Sequence, residues 1–443
     1  MAKEKHIIII GAGLVGTLLS IYLRNRGCNV SVYERRADLR KENIRAGKSI
    51  NLALSNRGWR PLIEVGLEEK LMALIIPMTG RIMHDLQGKL SYQPYGKEGQ
   101  AINSISRGGL NTLLLNTAEA HGVKFFFEHK CLGIDFEQTI AYITHNDSTQ
   151  GVKSDFIFGT DGAFSAVRSA MQKTDRFNYS QEYIPHGYKE LSFAASANND
   201  FALEKNALHI WPRKDFMLIA LPNQDKSFTV TLFLPFDGEK SFENLNSDIE
   251  INHFFETEFK DAKEIMPNLL SEYRQNRPSS LVTVRCSPWV NNNVCVIGDA
   301  AHAIVPFYGQ GMICGFEDCY VLNKLLDEYA DNWPLALAAF EQQRLPDANA
   351  IADLALENFV VMRDKVADKD FLIRKSIEAH LNLLYPDKWI PLYSMVTFNE
   401  ELRYSEAQAK GKKQERIMDA VMRNLAPGQD WHTLDFKGII EKL

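Results

Sequence analysis

Residues 6–34 read HIIIIGAGLVGTLLSIYLRNRGCNVSVYE. The apolar run His6 to Ile10 has the pattern of a buried strand, Leu14 to Arg26 has helical periodicity, and Val30 to Tyr33 is a second strand. Between strand and helix stand three glycines in G-x-G-x-x-G spacing. Gly11 permits the tight turn, Gly13 lets the backbone approach a pyrophosphate, and Gly16 lets the helix pack closely on the strand. The helix N-terminus then faces the phosphates. Glu34 ends the second strand at the place where a carboxylate accepts hydrogen bonds from both ribose hydroxyls and repels a 2′-phosphate. The stretch predicts a β-α-β unit holding the adenosine diphosphate of FAD or NAD.

The rest of the chain must be compatible with that unit. At 443 residues it exceeds one ordinary core and predicts more than one domain. Hydrophobic residues at 45% and charged residues at 24% exclude disordered and collagen-like classes. A formal charge of -6 gives no general reason to bind a polyanion, so no nucleic-acid partner is expected. The six cysteines form neither a CxxC pair nor a Cys/His cluster at metal-ligand spacing, so reduced, packed thiols and no metal are expected, Cys314 and Cys319 included. The N-terminus lacks a signal-peptide pattern and no apolar run reaches the length of a membrane span, so a cytoplasmic protein without a transmembrane segment is expected.

Past Glu34 the regular repeat is interrupted by a basic stretch containing Arg35, Arg36, Arg40, Lys41 and Arg45, basic side chains able to meet a 2′-phosphate transiently. A helix is predicted over 107–120, strands near 123–127 and 130–136, and a turn at NDSTQG. DFIFGTDGAFSAVR (155–168) then reads as strand, Asp-Gly turn and helix. From Tyr183 to Pro235 the segments ALHIWP, DFMLIALP and SFTVTLFLP read as an antiparallel sheet. A helical stretch (248–278) follows, then the strands LVTVRC and NVCVIGDAAH, and from Phe316 the chain is mostly helical. The expected division is an FAD-binding domain over 1–182 with an excursion at about 45–105 toward the substrate site, a substrate-binding sheet domain over 183–280, a return to the first domain over 281–330, and a helical region over 331–443.

Two further motifs narrow the chemistry: GTDG, with Asp161, Ser165 and Arg168, and GDAAHAIVPFYGQG over 298–311. In the second, a strand delivers Asp299 at its end, where a carboxylate can accept from ribityl hydroxyls. Gly309-Gln310-Gly311 opens a helix whose positive end suits an anionic reduced flavin. In combination with the N-terminal glycines, these motifs resemble the class A flavin-dependent aromatic hydroxylases. The resemblance implies an α/β fold: a Rossmann-like FAD-binding domain, an antiparallel-sheet substrate domain and a helical C-terminal region. It implies non-covalent FAD held by Gly11, Gly13, Gly16, Glu34, Arg35, Arg107, Asp161, Gly298, Asp299, Gly309, Gln310, Gly311 and Met312. After GQGM the family usually has Asn and a small residue, where this chain has Ile313 and Cys314.

PHGYKEL (185–191), NALHIWP (206–212), VPFYGQGM (305–312) and ALENFVVMRD (355–364) narrow the resemblance to the kynurenine-hydroxylating branch. That branch implies hydroxylation of L-kynurenine with NADPH and O2 through a flavin C4a-hydroperoxide, with no side chain assigned as catalytic acid or base. Arg81 in TGRIMHD then pairs with the substrate carboxylate, and Tyr95, Asn358 and Tyr404 complete the grip on the amino-acid end. Met217, Ile219 and Leu221 share one strand face and, with Phe233, form the aryl wall; the same alternation is also that of ordinary sheet core. Pro306, Phe307 and Tyr308 sit at the flavin's reactive edge, and His302 is expected to be structural. The flavin motifs alone also serve a hydroxylase for another aromatic acid or a non-oxygenase FAD-binding sensor. A homo-oligomer is compatible with the sequence.

Overall fold

A computed structural model describes residues 4–41, 51–95, 99–362, 369–426 and 428–443. Arg45 lies outside the described residues. The strand His6–Ile10 is central to a six-stranded sheet in the order Val290–Asn291, Val294–Val296, Phe156–Gly159, His6–Ile10, Asn29–Tyr33 and Lys124–Phe126. All neighbours pair in parallel except the Val290–Asn291 edge. Both faces are covered, which is why Ile7, Ile8 and Ile9 are consecutive and fully buried. The helix Leu14–Asn25 leaves the central strand at its carboxyl end, where strand order reverses and an open α/β sheet presents its ligand crevice.

Seven strands form the second sheet, in the order Ser279–Ser287, Asn178–Phe193, Phe228–Pro235, Phe216–Pro222, Ala207–Arg213, Gly80–His84 and Leu90–Pro94. Along Phe216–Pro222 the side chains alternate faces. Leu218 and Ala220 join Val230 and Leu232 in a core with Phe254, Phe255 and Phe259, while Met217 and Phe233 belong to the core shared with the first sheet. Both faces are covered, so this antiparallel strand reads as a continuous apolar run. The strand Gly80–His84 pairs parallel with Ala207–Arg213, opposing Arg81 to Leu208. This pairing joins residues more than a hundred positions apart and leaves no local periodicity to detect. Asn51–Leu54, Ile102–Ser106 and Ile75–Met78 form a smaller antiparallel sheet beside it.

The C-terminal part consists of Trp333–Val360, Lys369–Leu384, Leu392–Thr397, Tyr404–Asn424 and Phe436–Ile440. Ile377, Leu381, Trp389, Met418 and Phe436 make a separate small core between the last helices. Among the described residues no helix is long and apolar enough to cross a membrane.

Candidate active site

At the glycine loop the backbone conformation follows from what lies against it. Gly11 has φ +105°, and a Cβ there would lie 2.7 Å from the Thr160 carbonyl oxygen; at Gly16 it would lie 2.1 Å from the Gly11 carbonyl oxygen. At Gly13 a Cβ would meet nothing within 4 Å. The loop is therefore closed on its protein side and open at the residue expected to face phosphate. The helix Leu14–Asn25 has no side-chain cap and no acid in its first turn, so its terminal N–H groups and positive end stay available to an anion. The Glu34 carboxylate accepts from the backbone N–H of Ala12 and of Arg36, both at 2.9 Å, tying the end of the second strand to the loop.

The GTDG and GDAAH segments converge on this loop. The Asp161 backbone lies against Gly11, while its half-buried carboxylate accepts from the Ser165 hydroxyl and the Ala166 N–H, so the side chain serves the start of the helix Ala166–Met171. Burial pushes the Asp161 carboxyl up against these hydrogen bonds. Arg168 links the two segments by donating to the carbonyls of Ala300 (2.8 Å) and Ala163 (2.5 Å). Gly298, at φ +63°, and Gly315 both pack on Val15 of the first helix. Asp299 opens a four-residue helix and is exposed on the lip. Gly309 has φ +69°, and the helix Gly311–Glu328 starts directly after Gln310.

Behind this loop lies a buried network of charges. Asp318 accepts from His302 (2.6 Å), Arg344 (2.8 Å) and the Gly298 N–H (3.2 Å). Arg344 also reaches Glu317, which pairs with Arg57 at 2.7 Å. Burial opposes these charges, but His302 and Arg344 hold the Asp318 carboxyl below its usual range, and Asp318 raises His302 well above its own. His302 is thus built into the frame. His302, Cys314 and Asp318 converge as metal ligands would, yet Arg344 donates to both Asp318 and the Cys314 sulfur, which places a cation there already. Ile313 packs on Gly58, filling the space between the helices Asn56–Glu64 and Gly311–Glu328.

A second cluster forms where the substrate sheet meets the C-terminal segment. The Arg81 guanidinium lies 5.1 Å from the Tyr95 ring and 4.6 Å from the Tyr393 ring. It has no carboxylate partner among the described residues, and its Nε is buried without a hydrogen bond. Burial works against its charge, and the phenols of Tyr393 and Tyr95 outweigh it, so the cation persists. Tyr393 stacks on Tyr95 (6.0 Å) and on Tyr308 (5.4 Å), joining the Arg81 cluster to the glycine-rich loop. Leu221 and Ile219 pack with Tyr95 and Tyr393; Met217 opposes Phe233, whose ring lies 5.1 Å from Phe307. Asn358 donates to the Phe307 carbonyl at 2.6 Å, so it braces the loop, and Pro306 is exposed beside it.

The structure therefore brings together Arg81, Tyr95, Ile219, Leu221, Met217, Phe233, Phe307, Tyr308 and Asn358. It does not place Tyr404 among them. Tyr404 is fully buried at the start of the helix Tyr404–Asn424, donates to the Gln310 side chain at 2.9 Å, and has its ring under Arg57. Tyr393 occupies the position by Arg81 and was missed, since one tyrosine in a short helix carries no periodic signal. Arg35 and Arg107 are exposed, as is Arg36, whereas Arg40 is held by Asp38 and Glu119 and is not free to meet a phosphate. Met312 is half-buried next to the loop.

The family model described as FAD binding domain matches residues 4–355. The chain is 46% identical over 446 residues to a protein named kynurenine 3-monooxygenase from Flavobacterium johnsoniae, covering 100% of this chain and 99% of that one. A protein of the same name from Caenorhabditis elegans is 42% identical, covering 94% of each chain. Among solved structures, 2-methyl-3-hydroxypyridine-5-carboxylic acid oxygenase has the same fold, with a TM-score of 0.68 at 19% identity over 82% of this chain and 94% of its own. P. aeruginosa PqsL in complex with 2-aminobenzoylacetate has a TM-score of 0.66 at 18% identity, over 82% and 97%. The residues present fit FAD: an open backbone at Gly13, an uncapped helix start, and an exposed carboxylate at Asp299 beside them. The chain belongs to the kynurenine 3-monooxygenase family of FAD-dependent aromatic hydroxylases.

Proposed function

We propose that this protein hydroxylates L-kynurenine to 3-hydroxy-L-kynurenine, with NADPH supplying two electrons, O2 supplying the inserted oxygen, and NADP+ and water leaving. The observation that carries the reading is Arg81, a half-buried cation without a carboxylate partner among the described residues, facing two tyrosines at the end of an apolar wall. A guanidinium in that position offers paired donors to a carboxylate, and the wall accepts an aryl ring. The amino-acid end of kynurenine is thus anchored on Arg81, and its ring lies along Leu221, Ile219, Met217 and Phe233 toward Phe307 and Tyr308.

Bound FAD supplies the hydride acceptance and oxygen activation. Gly11, Gly13 and Gly16 with the first helix hold its pyrophosphate, Glu34 its adenosine ribose, and Asp299 its ribityl chain. Met217, Phe233, Phe307 and Tyr308 exclude water from the ring. Residues 1–182 and 281–330 form the cofactor part, 183–280 with the excursion at 45–105 the substrate part, and 331–443 close it, in a cytoplasmic enzyme. Titrating flavin absorbance with L-kynurenine, 2-aminoacetophenone and 4-hydroxybenzoate tests the substrate class. Kynurenine binds tightest on this reading, and the ketone lacking the amino-acid end binds weakly. Preference for 4-hydroxybenzoate contradicts it.

A further inference from the structure

Arg57, on the helix Asn56–Glu64, ties the C-terminal segment to the helix Gly311–Glu328. Arg57 donates from Nε to the Val396 carbonyl (3.1 Å), from Nη2 to the carbonyls of Asn399 (2.7 Å) and Leu402 (2.5 Å), and from Nη1 to Glu317 (2.7 Å). Its planar face lies 4.3 Å from the Tyr404 ring. Tyr404 is thereby fixed at the first position of its helix with its hydroxyl on Gln310.

Gln310 precedes the helix Gly311–Glu328, is 2% exposed, and does not cap that helix with its side chain. Its Oε1 accepts from Tyr404, and among the described residues its Nε2 makes no hydrogen bond. Burial holds the Tyr404 phenol well above its usual range, so the hydroxyl keeps the proton that it donates. An amide whose oxygen is engaged in this way is turned so that both its N–H donors are free for a further partner.

We propose that Tyr404 is a positioning residue that orients the Gln310 amide so that its N–H donates to a carbonyl oxygen bound in the site. The carbonyl belongs either to the isoalloxazine ring or to the aryl ketone of the substrate. The inference rests on the reading above for the ketone but needs only bound FAD for the flavin. It replaces the role expected for Tyr404 as a direct substrate contact.

The test is a double-mutant cycle on the FAD-loaded enzyme with Tyr404→Phe, Gln310→Met and the two combined. Two quantities are read: the rate of FAD release followed by flavin fluorescence without kynurenine, and the dissociation constant of kynurenine. Tyr404→Phe shifts one of them about fivefold, the size of one ordinary hydrogen bond. Gln310→Met shifts the same quantity at least as far, and the double variant is no worse than Gln310→Met. A shift in FAD release identifies the flavin carbonyl, and a shift in kynurenine affinity the ketone. Additive effects overturn the proposal, as does a Tyr404→Phe enzyme in which neither quantity changes. A wild-type protein that ignores kynurenine overturns the substrate reading and leaves the FAD-release cycle as a complete test.

Discussion

Arg81 is held charged in a place that supplies aromatic faces and no counter-ion among the described residues. Arg81→Ala weakens kynurenine binding about 10- to 100-fold, the range of a lost charge-assisted pair, while FAD remains bound; titration of the flavin spectrum measures both. Arg81→Lys recovers little, because an ammonium cannot present two parallel donors. Asp318 poses the opposite problem, a fully buried anion satisfied by two cations. Asp318→Asn leaves Arg344 and His302 underpaired and costs about 3–5 kcal/mol, read as a lower denaturant midpoint. Because the folded protein raises His302 above its ordinary 6.5, that contribution is full below 6.5 and is lost as the pH rises through the elevated value. Thermal stability therefore falls on the alkaline side, and His302→Gln removes that dependence. Of these residues, Arg81 was singled out only through the family resemblance, because TGRIMHD read by itself gives a solvent-facing strand residue. Tyr393 was not, because its role arises from stacking across three separate segments.

The element with the clearest sequence signature is the first turn and helix, because each of its glycines answers a local demand. Gly16→Ala forces a Cβ to 2.1 Å from the Gly11 carbonyl oxygen, so soluble folded protein is lost. Gly13→Ala meets nothing and changes apo stability by no more than about 1 kcal/mol, yet narrows the approach of a pyrophosphate and weakens FAD retention. Comparing melting curves and bound flavin for the two variants separates the packing glycine from the ligand glycine. The helix expected over 107–120 is found at those positions, since its period and Ser106 cap are local. The strand Gly80–His84 escaped such reading, because its parallel partner lies far along the chain and its neighbour Leu90–Pro94 is exposed throughout.

At the scale of the whole molecule, two sheets and a helical region meet at one crevice, and Arg57 joins the helical region to the helix Gly311–Glu328 through Glu317. Arg57→Lys keeps one charge but cannot hold three carbonyls and Glu317 together, so kynurenine affinity falls with the displacement of Tyr393. Equilibrium titration with kynurenine shows that fall, and melting curves show a lower midpoint. Such convergence is invisible to periodicity, which explains why the flavin motifs were legible while Tyr393 was missed. The central claim, that these parts form a kynurenine hydroxylase, is tested most directly by following NADPH oxidation by the FAD-loaded protein with and without L-kynurenine and weighing the product. The account predicts that kynurenine accelerates oxidation and emerges one oxygen heavier as 3-hydroxykynurenine. Oxidation indifferent to kynurenine, or accelerated oxidation that yields only hydrogen peroxide, contradicts it.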